Sequence, residues 1–332
     1  MRSSTIPATE AGAPDVDGEA VVRRAETVAD GVLSVELTAP GGGPLPPWKP
    51  GAHISVVLGS GLVREYSLCG DPGDRDTYRI AVLDEPGGRG GSRELHRTAV
   101  PGARLGFRGP RNHFALDDSA TRYLFIAGGI GITPILPMVR AAAARDARWA
   151  LLYGGRSRRS MAFTDEVRAL GGPRLTLVPQ DELGLPDLGS PLAAAGSSTA
   201  VYCCGPPPLL AAVERQCDRL GMLGSLRVER FRPGTPEPAT GNADQPIEVE
   251  LRRSGKRVTV PPGRSVLGSV REVLPRVASS CEEGYCGTCE ARVLDGVPDH
   301  RDTVLSEEDR ARGDCMMICV SRARGATLAL DL

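Results

Sequence analysis

The sequence predicts a multidomain chain: an antiparallel β-barrel, then an α/β domain with a parallel sheet, then a small α+β domain. Three observations predict it. Short alternating apolar runs separated by Gly/Pro turns fill residues 20–118. Apolar strands alternate with helical stretches over residues 119–231. After a Pro/Gly-rich linker, 232–246, two strand-like runs, a helix and a group of cysteines complete residues 247–332.

Each element follows from its residues. Residues 1–19 are polar and Pro/Gly-rich with no hydrophobic segment, which reads as a disordered tail and not a secretory signal. In the first domain "VLSVELTAP", "HISVVL" and "YRIAVLDE" are strands, divided by turn clusters such as "GDPGDRD". In the second, the strands "RYLFIAGG", "WALLYGG" and "AVYCCGP" each precede a helical stretch, the last being "PLLAAVERQCDRLG". In the third, "IEVELRRSG" and "KRVTVPPG" read as strands and "VLGSVREVLPR" as a helix.

Composition excludes several partners. The net charge of −1, without a basic stripe interleaved with aromatics, argues against nucleic acid. The longest uncharged run, "YLFIAGGIGITPILPMV", is broken by glycines and prolines and is short for a membrane span. A cytoplasmic monomer is the default expectation. In that compartment nine cysteines stay mostly reduced, which favours metal or redox chemistry over disulfides.

Those cysteines carry the sharpest signal. "CEEGYCGTC" spaces Cys281, Cys286 and Cys289 as C-x4-C-x2-C, and Cys319 follows thirty positions later. This is the plant-type [2Fe–2S] spacing. Gly284 and Gly287 let the loop curl so that backbone N–H groups face an anionic cluster. A zinc knuckle would need a second C-x2-C-like pair. Cys315 competes with Cys319 for the fourth position, since the two are four residues apart in "DCMMICVSRA".

Two weaker motifs gain meaning beside a one-electron centre. "REYSL" sets Arg64, Tyr66 and Ser67 on one strand, an arginine to fork onto a phosphate and a tyrosine to stack on a flat ring. "GGRGGSREL" leads through Gly91 into a helix beginning near Ser92, whose free N–H groups suit a phosphate. Together they suggest a flavin phosphate. "FIAGGIGITPIL" and "CCGPPP" place glycine turns after two strands, with Cys204-Gly205-Pro206 at a strand's carboxyl end facing a bound nucleotide. None of His53, His96, His113 and His300 forms a triad or a metal pair with nearby residues, and all four read as structural. No His-His-carboxylate triad marks an oxygenase site in the chain itself.

The ordered set "RxYSL", "GRGGS", "GPRNHF", "GGIGITP", "YGGRS", "CGP" and C-x4-C-x2-C…C resembles the phthalate dioxygenase reductase family, which includes vanillate demethylase reductase components. The likeness covers roughly residues 20–332. It implies a flavin-binding β-barrel, a Rossmann-like NAD domain and a β-grasp, ferredoxin-like [2Fe–2S] domain, with electrons passing from NADH to FMN to the cluster. It implies that Arg64, Tyr66, Ser67, Gly91, Ser92, Thr133 and Phe231 hold FMN. Gly131, Arg156, Ser157, Cys204, Gly205 and Pro206 would line the NADH site, with Cys204 and Thr133 positioning the rings and no covalent nucleophile. Cys319, in "CVSRA", is the family's fourth cluster ligand.

By resemblance the acceptor is a Rieske-type terminal oxygenase that hydroxylates or O-demethylates aromatic rings. A cytochrome P450 is the alternative, and a redox-sensing regulator a remote one. Motif physics leaves FAD open beside FMN. Arg158 and Arg159 in "GGRSRRS" leave NADPH open beside NADH, because clustered arginines recognise a 2′-phosphate.

Overall fold

The computed structural model describes residues 16–145, 147–231, 245–279, 281–305 and 307–332. Most of the expected tail and all but the last two residues of the expected linker lie outside them.

The first sheet contains β1 (Gly18–Ala29), β2 (Val32–Thr38), β3 (His53–Val57), β4 (Val63–Ser67) and β5 (Thr77–Leu83). Helix α1 (Gly91–Thr98) and strand β6 (Arg104–Arg111) follow. The order is β4-β3-β6-β1-β2-β5, and every pairing is antiparallel. Its edges meet beyond Ser67, where Cys69 N–H donates to the Arg79 carbonyl at 2.8 Å and curls the sheet into a barrel. Val35, Leu37, Ile54, Val56, Leu68 and Ile80 fill it, each contributing about 1.5–3 kcal/mol by burial. Strand β1 opens at Gly18, inside the stretch expected as tail, because Gly18 and Glu19 pair with Phe107 and Gly106 of β6.

The second sheet comprises β7 (Arg122–Gly128), β8 (Arg148–Gly155), β9 (Leu175–Pro179), β10 (Ala200–Cys204) and β11 (Leu226–Glu229). Between them run α2 (Ile132–Ala144), α3 (Thr164–Gly171), α4 (Gln180–Leu183), α5 (Gly189–Ala195) and α6 (Pro207–Arg219). All four pairings are parallel, in the order β11-β10-β7-β8-β9. The chain leaves β7 in one direction and returns at β10 on its other side. That reversal makes a crevice at the carboxyl ends of β7 and β10.

Barrel and α/β domain share a core, in which Val32, Cys69 and Phe114 pack with Phe125, Ile135 and Tyr202. Arg79 locks the junction by a two-pronged bond to Glu166, at 2.8 and 2.9 Å, with its guanidinium 4.8 Å from the Phe163 ring centre.

The last domain comprises β12 (Ile247–Leu251), β13 (Lys256–Val260), α7 (Val266–Val273), β14 (Glu290–Asp295), β15 (Pro298–Asp299), α8 (Glu307–Arg312), β16 (Cys315–Met317), β17 (Arg322–Ala323) and β18 (Thr327–Leu330). Its main sheet runs β13-β12-β18-β14-β16, with β12 and β18 parallel, while β15 and β17 form a separate pair. Ser265 caps α7, its Oγ accepting Gly268 N–H at 3.0 Å. Val266, Leu267 and Val270 then turn the helix's apolar side onto the sheet. Among the described residues no helix is long and apolar enough to cross a membrane.

Candidate functional site: three cofactor cradles

The first cradle is built on β4. Arg64, Tyr66 and Ser67 pair with Val56, Ile54 and His53 of β3. Arg64 then lies across the first turn of α1, so close that a Cβ at Gly91 would fall 2.7 Å from its Nε. Arg64 Nη1 donates to its neighbour's carbonyl at 2.7 Å, but its buried Nη2 meets no hydrogen-bond partner. A buried charged donor without an acceptor costs several kcal/mol. Beside the free N–H groups of a helix start, it makes a pocket suited to a phosphate. Ser92 Oγ accepts Glu85 N–H at 3.1 Å and so braces the loop into α1. Burial pushes the Tyr66 phenol up, leaving a neutral flat ring for stacking.

Arg64→Ala is therefore expected to release flavin. Losing two charge-assisted bonds costs about 3 kcal/mol, roughly 100-fold in retention. The flavin-to-protein absorbance ratio after gel filtration reads it, and an unchanged ratio would remove Arg64 from the phosphate site.

The second cradle is the crevice between β7 and β10. It opens into a cleft of about 2160 Å³ whose lining includes Gly131, Arg156, Gly205, Pro206 and Phe231, ample for a dinucleotide. A Cβ at Gly131 would sit 2.3 Å from the Cys204 carbonyl oxygen, so only glycine lets the two turns touch. Thr133 is buried and its Oγ1 donates to the Ile130 carbonyl at 3.0 Å, which fixes the entry into α2. Phe231 is half-buried against the shared core. Arg156 is exposed on the rim, and Ser157 N–H is capped by Ser160 Oγ at 3.1 Å. Arg158 and Arg159, the candidates for a 2′-phosphate, pair instead with Glu182 at 2.8 Å and Asp30 at 3.2 Å.

Sequence reasoning passed over one residue here. Glu229, at the end of β11, accepts from Ser67 Oγ at 3.5 Å and from Cys204 Sγ at 3.9 Å. Its carboxyl thus joins the end of β4 to the end of β10. Burial raises its pKa to about 8, against the two hydrogen bonds that lower it. Cys204 is buried, and burial together with Glu229 pushes its thiol well up. It stays a protonated thiol, the state of a positioning group and not of a nucleophile.

The third cradle is the cysteine loop. Cys281, Cys286, Cys289 and Cys319 are all buried. Hydrogen-bond contacts link Cys281 with Cys286 and Cys319, and Cys319 with Cys289. Among the described residues no three His, Cys, Asp or Glu groups converge on a single-ion site. The thiols form a run of neighbouring pairs, which suits two irons sharing four thiolates. Bonds from Cys286 and Cys319 hold Cys281 down as a thiolate, and the same bonds push those two up. Four thiolates can coexist there only around a cation. Gly284 and Gly287 have φ of 74° and 76°, and Glu283 N–H points at Cys281 Sγ at 3.4 Å. Cys315 lies elsewhere, on β16 opposite Arg292. Burial, then Glu290 and Asp314, push its thiol up to about 11.

Comparison with known proteins agrees with this layout. Residues 249–324 match the 2Fe-2S iron-sulfur cluster binding domain and residues 125–215 the oxidoreductase NAD-binding domain. The structure of phthalate dioxygenase reductase, described as a modular structure for electron transfer from pyridine nucleotides to [2Fe-2S], superposes with a TM-score of 0.68. It is 36% identical and covers 95% of this chain and 97% of that one. This chain belongs to the phthalate dioxygenase reductase family.

A further member of the comparison is the phenoxybenzoate dioxygenase subunit beta of Ectopseudomonas oleovorans, 45% identical over 92% of this chain and 94% of that protein. An intact type IV self-sufficient cytochrome P450 monooxygenase superposes with a TM-score of 0.88 and 43% identity. That match covers 95% of this chain but only 41% of the P450 protein. As a phthalate dioxygenase reductase family member, the chain is an oxidoreductase with a flavin barrel, an NAD domain and a [2Fe–2S] domain. The family's cofactors are FMN, NADH and the [2Fe–2S] cluster, and the three cradles fit them by donor chemistry.

Proposed function

We propose that this chain is the NADH-dependent reductase component of a Rieske-type oxygenase that hydroxylates or O-demethylates aromatic rings. One observation carries the reading: the three cradles touch within one chain. Glu229 bridges the flavin strand and the nicotinamide turn, and Thr288 bridges the cluster loop and β4. When bound, the flavin accepts two electrons at once and the cluster takes them singly. The protein's part is to hold rings and cluster in register. Arg64 and α1 would hold the FMN phosphate. Tyr66, Ser67, Thr133 and Phe231 would frame its ring. Gly131, Arg156, Ser157, Cys204, Gly205 and Pro206 would line the NADH path, and Cys281, Cys286, Cys289 and Cys319 would ligate iron. The functional units are then residues 18–118, 119–231 and 247–332 of a cytoplasmic monomer.

A cytochrome P450 acceptor is the second reading, favoured by the TM-score of 0.88 to the self-sufficient P450 structure. The relatives that match over their full length, such as the phenoxybenzoate dioxygenase subunit, support the first.

The test is an anaerobic titration with NADH followed by visible spectroscopy. Overlapping flavin and [2Fe–2S] bands should bleach with about three electrons taken up per chain. A protein that stays colourless after reconstitution would overturn the reading. Reduction of added Rieske oxygenase or P450 then separates the two acceptors.

A further inference from the structure

A carboxylate on β4 fastens the cluster loop to the barrel. Glu65, between Arg64 and Tyr66 on β4, accepts from Thr288 Oγ1 at 3.1 Å. Ser55 Oγ donates to both its oxygens, at 2.8 and 3.0 Å, and His53 Nε2 lies 3.4 Å away. On the other side, Cys286 Sγ donates to Thr288 Oγ1 at 3.3 Å. Both linking residues are shielded: the Glu65 side chain is 14% exposed and Thr288 is 6% exposed. Nearby contacts hold the same face. Arg89 Nη2 donates to the Cys281 carbonyl at 3.2 Å, and a Cβ at Gly287 would fall 2.7 Å from His113 Nε2.

We propose that Glu65 is a positioning residue for electron transfer: with Thr288 it latches the cluster loop onto the flavin strand and keeps the Thr288 proton away from the Cys286 sulfur. This rests on the cluster and flavin assignments above.

The reason is a count of protons. A threonine hydroxyl has one proton to give. In this structure it goes to Glu65, and the Cys286 thiol supplies the proton between sulfur and Thr288 oxygen. A cysteine that binds iron has lost that proton. The Thr288 hydroxyl is then the one donor between a carboxylate and a sulfur, and sulfur is the weaker acceptor. A glutamine at 65 reverses the arrangement. Its amide N–H can donate to the Thr288 oxygen, and the hydroxyl proton turns to Cys286. Hydrogen bonds to the sulfurs and local charge both set cluster potentials. The reduced cluster carries more negative charge, so it gains more from an added donor and from removal of a carboxylate. Both effects of Glu65→Gln therefore raise the potential.

The test uses full-length protein carrying Glu65→Gln, Thr288→Val, Thr288→Ser and the Glu65→Gln/Thr288→Val pair. An EPR-monitored redox titration of the loaded protein should show a positive shift for Glu65→Gln. Thr288→Ser should match wild type, and the double variant should lose part of the shift, a coupling that independent sites would not give. Amide hydrogen exchange over residues 281–289, in loaded and cluster-free protein, should quicken for Thr288→Val and not for Thr288→Ser. The ratio of cytochrome c to ferricyanide reduction should fall about tenfold for Thr288→Val, as for other outer-shell partners of metal sites. An unchanged potential in Glu65→Gln, or identical exchange for Thr288→Val and Thr288→Ser, would overturn the proposal. A wild-type protein that cannot take up a cluster would instead sink the cluster assignment, and exchange in the cluster-free protein would still decide the latch.

Discussion

Cys289→Ser abolishes NADH-dependent cytochrome c reduction while leaving most NADH–ferricyanide reduction in place: this is the expected result of removing one cluster ligand. Ferricyanide can draw electrons at the flavin, whose cradle on β4 and α1 contains no atom of the cysteine loop. Changes to residues behind metal ligands already cost about 10–100-fold, so loss of a ligand should lower cytochrome c reduction by more than 100-fold. Cys315→Ser provides the control. Its thiol sits on β16 among Glu290 and Asp314, and the hydrogen bonds that join the other four do not involve it, so both activities should stay at wild-type level. Stopped-flow assays with the two acceptors separate the outcomes. Equal loss of both activities in Cys289→Ser would mean that the loop supports the flavin domain itself, and a Cys315→Ser variant that keeps its flavin band but loses the [2Fe–2S] bands would exchange the fourth ligand.

The contrast between these cysteines shows what a sequence can carry. C-x4-C-x2-C is a local pattern, with three ligands in nine residues, so spacing alone identifies the cluster loop. The fourth ligand is not local. Spacing alone leaves Cys315 beside Cys319, and the sequence favours Cys319 only through its family segment "CVSRA"; in the folded chain it is Cys319 that bonds with Cys281 and Cys289. The parallel sheet was legible for a similar reason, because each strand and the helix after it are neighbours in sequence. The strand order was less so. The crevice between β7 and β10 exists only because strands distant in the chain pair side by side.

Glu229 and Glu65 mark the limit. Each acts through partners far along the chain: Ser67 for Glu229, and Thr288 for Glu65. Neither has a periodicity or motif of its own in "RVERF" or "REYSL". The one local hint for Glu65 is its place between two flavin-motif residues. The histidines divide likewise. His96 bonds the Val82 carbonyl at 2.9 Å, a packing role. His53 and His113 stand with ring centres 5.9 Å apart at the barrel–cluster junction, a place that isolated positions in the sequence could not reveal.

Glu229→Gln should make the protein more stable and slower, and the two effects should part company with pH. The Glu229 carboxyl is raised to about 8 in the folded chain, chiefly by burial, against an unfolded value near the ordinary glutamate range. Between those values the folded state binds more protons than the unfolded one. Stability from this group is therefore intact at acid pH and falls as pH rises toward 8. At pH 7 the penalty is about 3 kcal/mol. A neutral glutamine escapes it, so Glu229→Gln should melt several degrees higher at pH 7 to 8, at about 2–4 °C per kcal/mol. The gain should vanish near pH 4. Activity should run the opposite way. An ionised carboxylate beside Ser67 and Cys204 would counter positive charge on a nicotinamide ring, and preorganised groups of this kind are worth about 10²–10³ in rate. Wild-type NADH–ferricyanide reduction should therefore climb as pH passes through about 8, and Glu229→Gln should be slower with that limb missing. Melting curves and pH–rate profiles of the two proteins decide it. A variant no more stable at pH 8 would show that the carboxyl is solvated. A variant that keeps the alkaline limb would assign it to another group. The carboxylate stays buried against its own electrostatics, and the site between the flavin strand and the nicotinamide turn is where that cost would yield catalytic advantage.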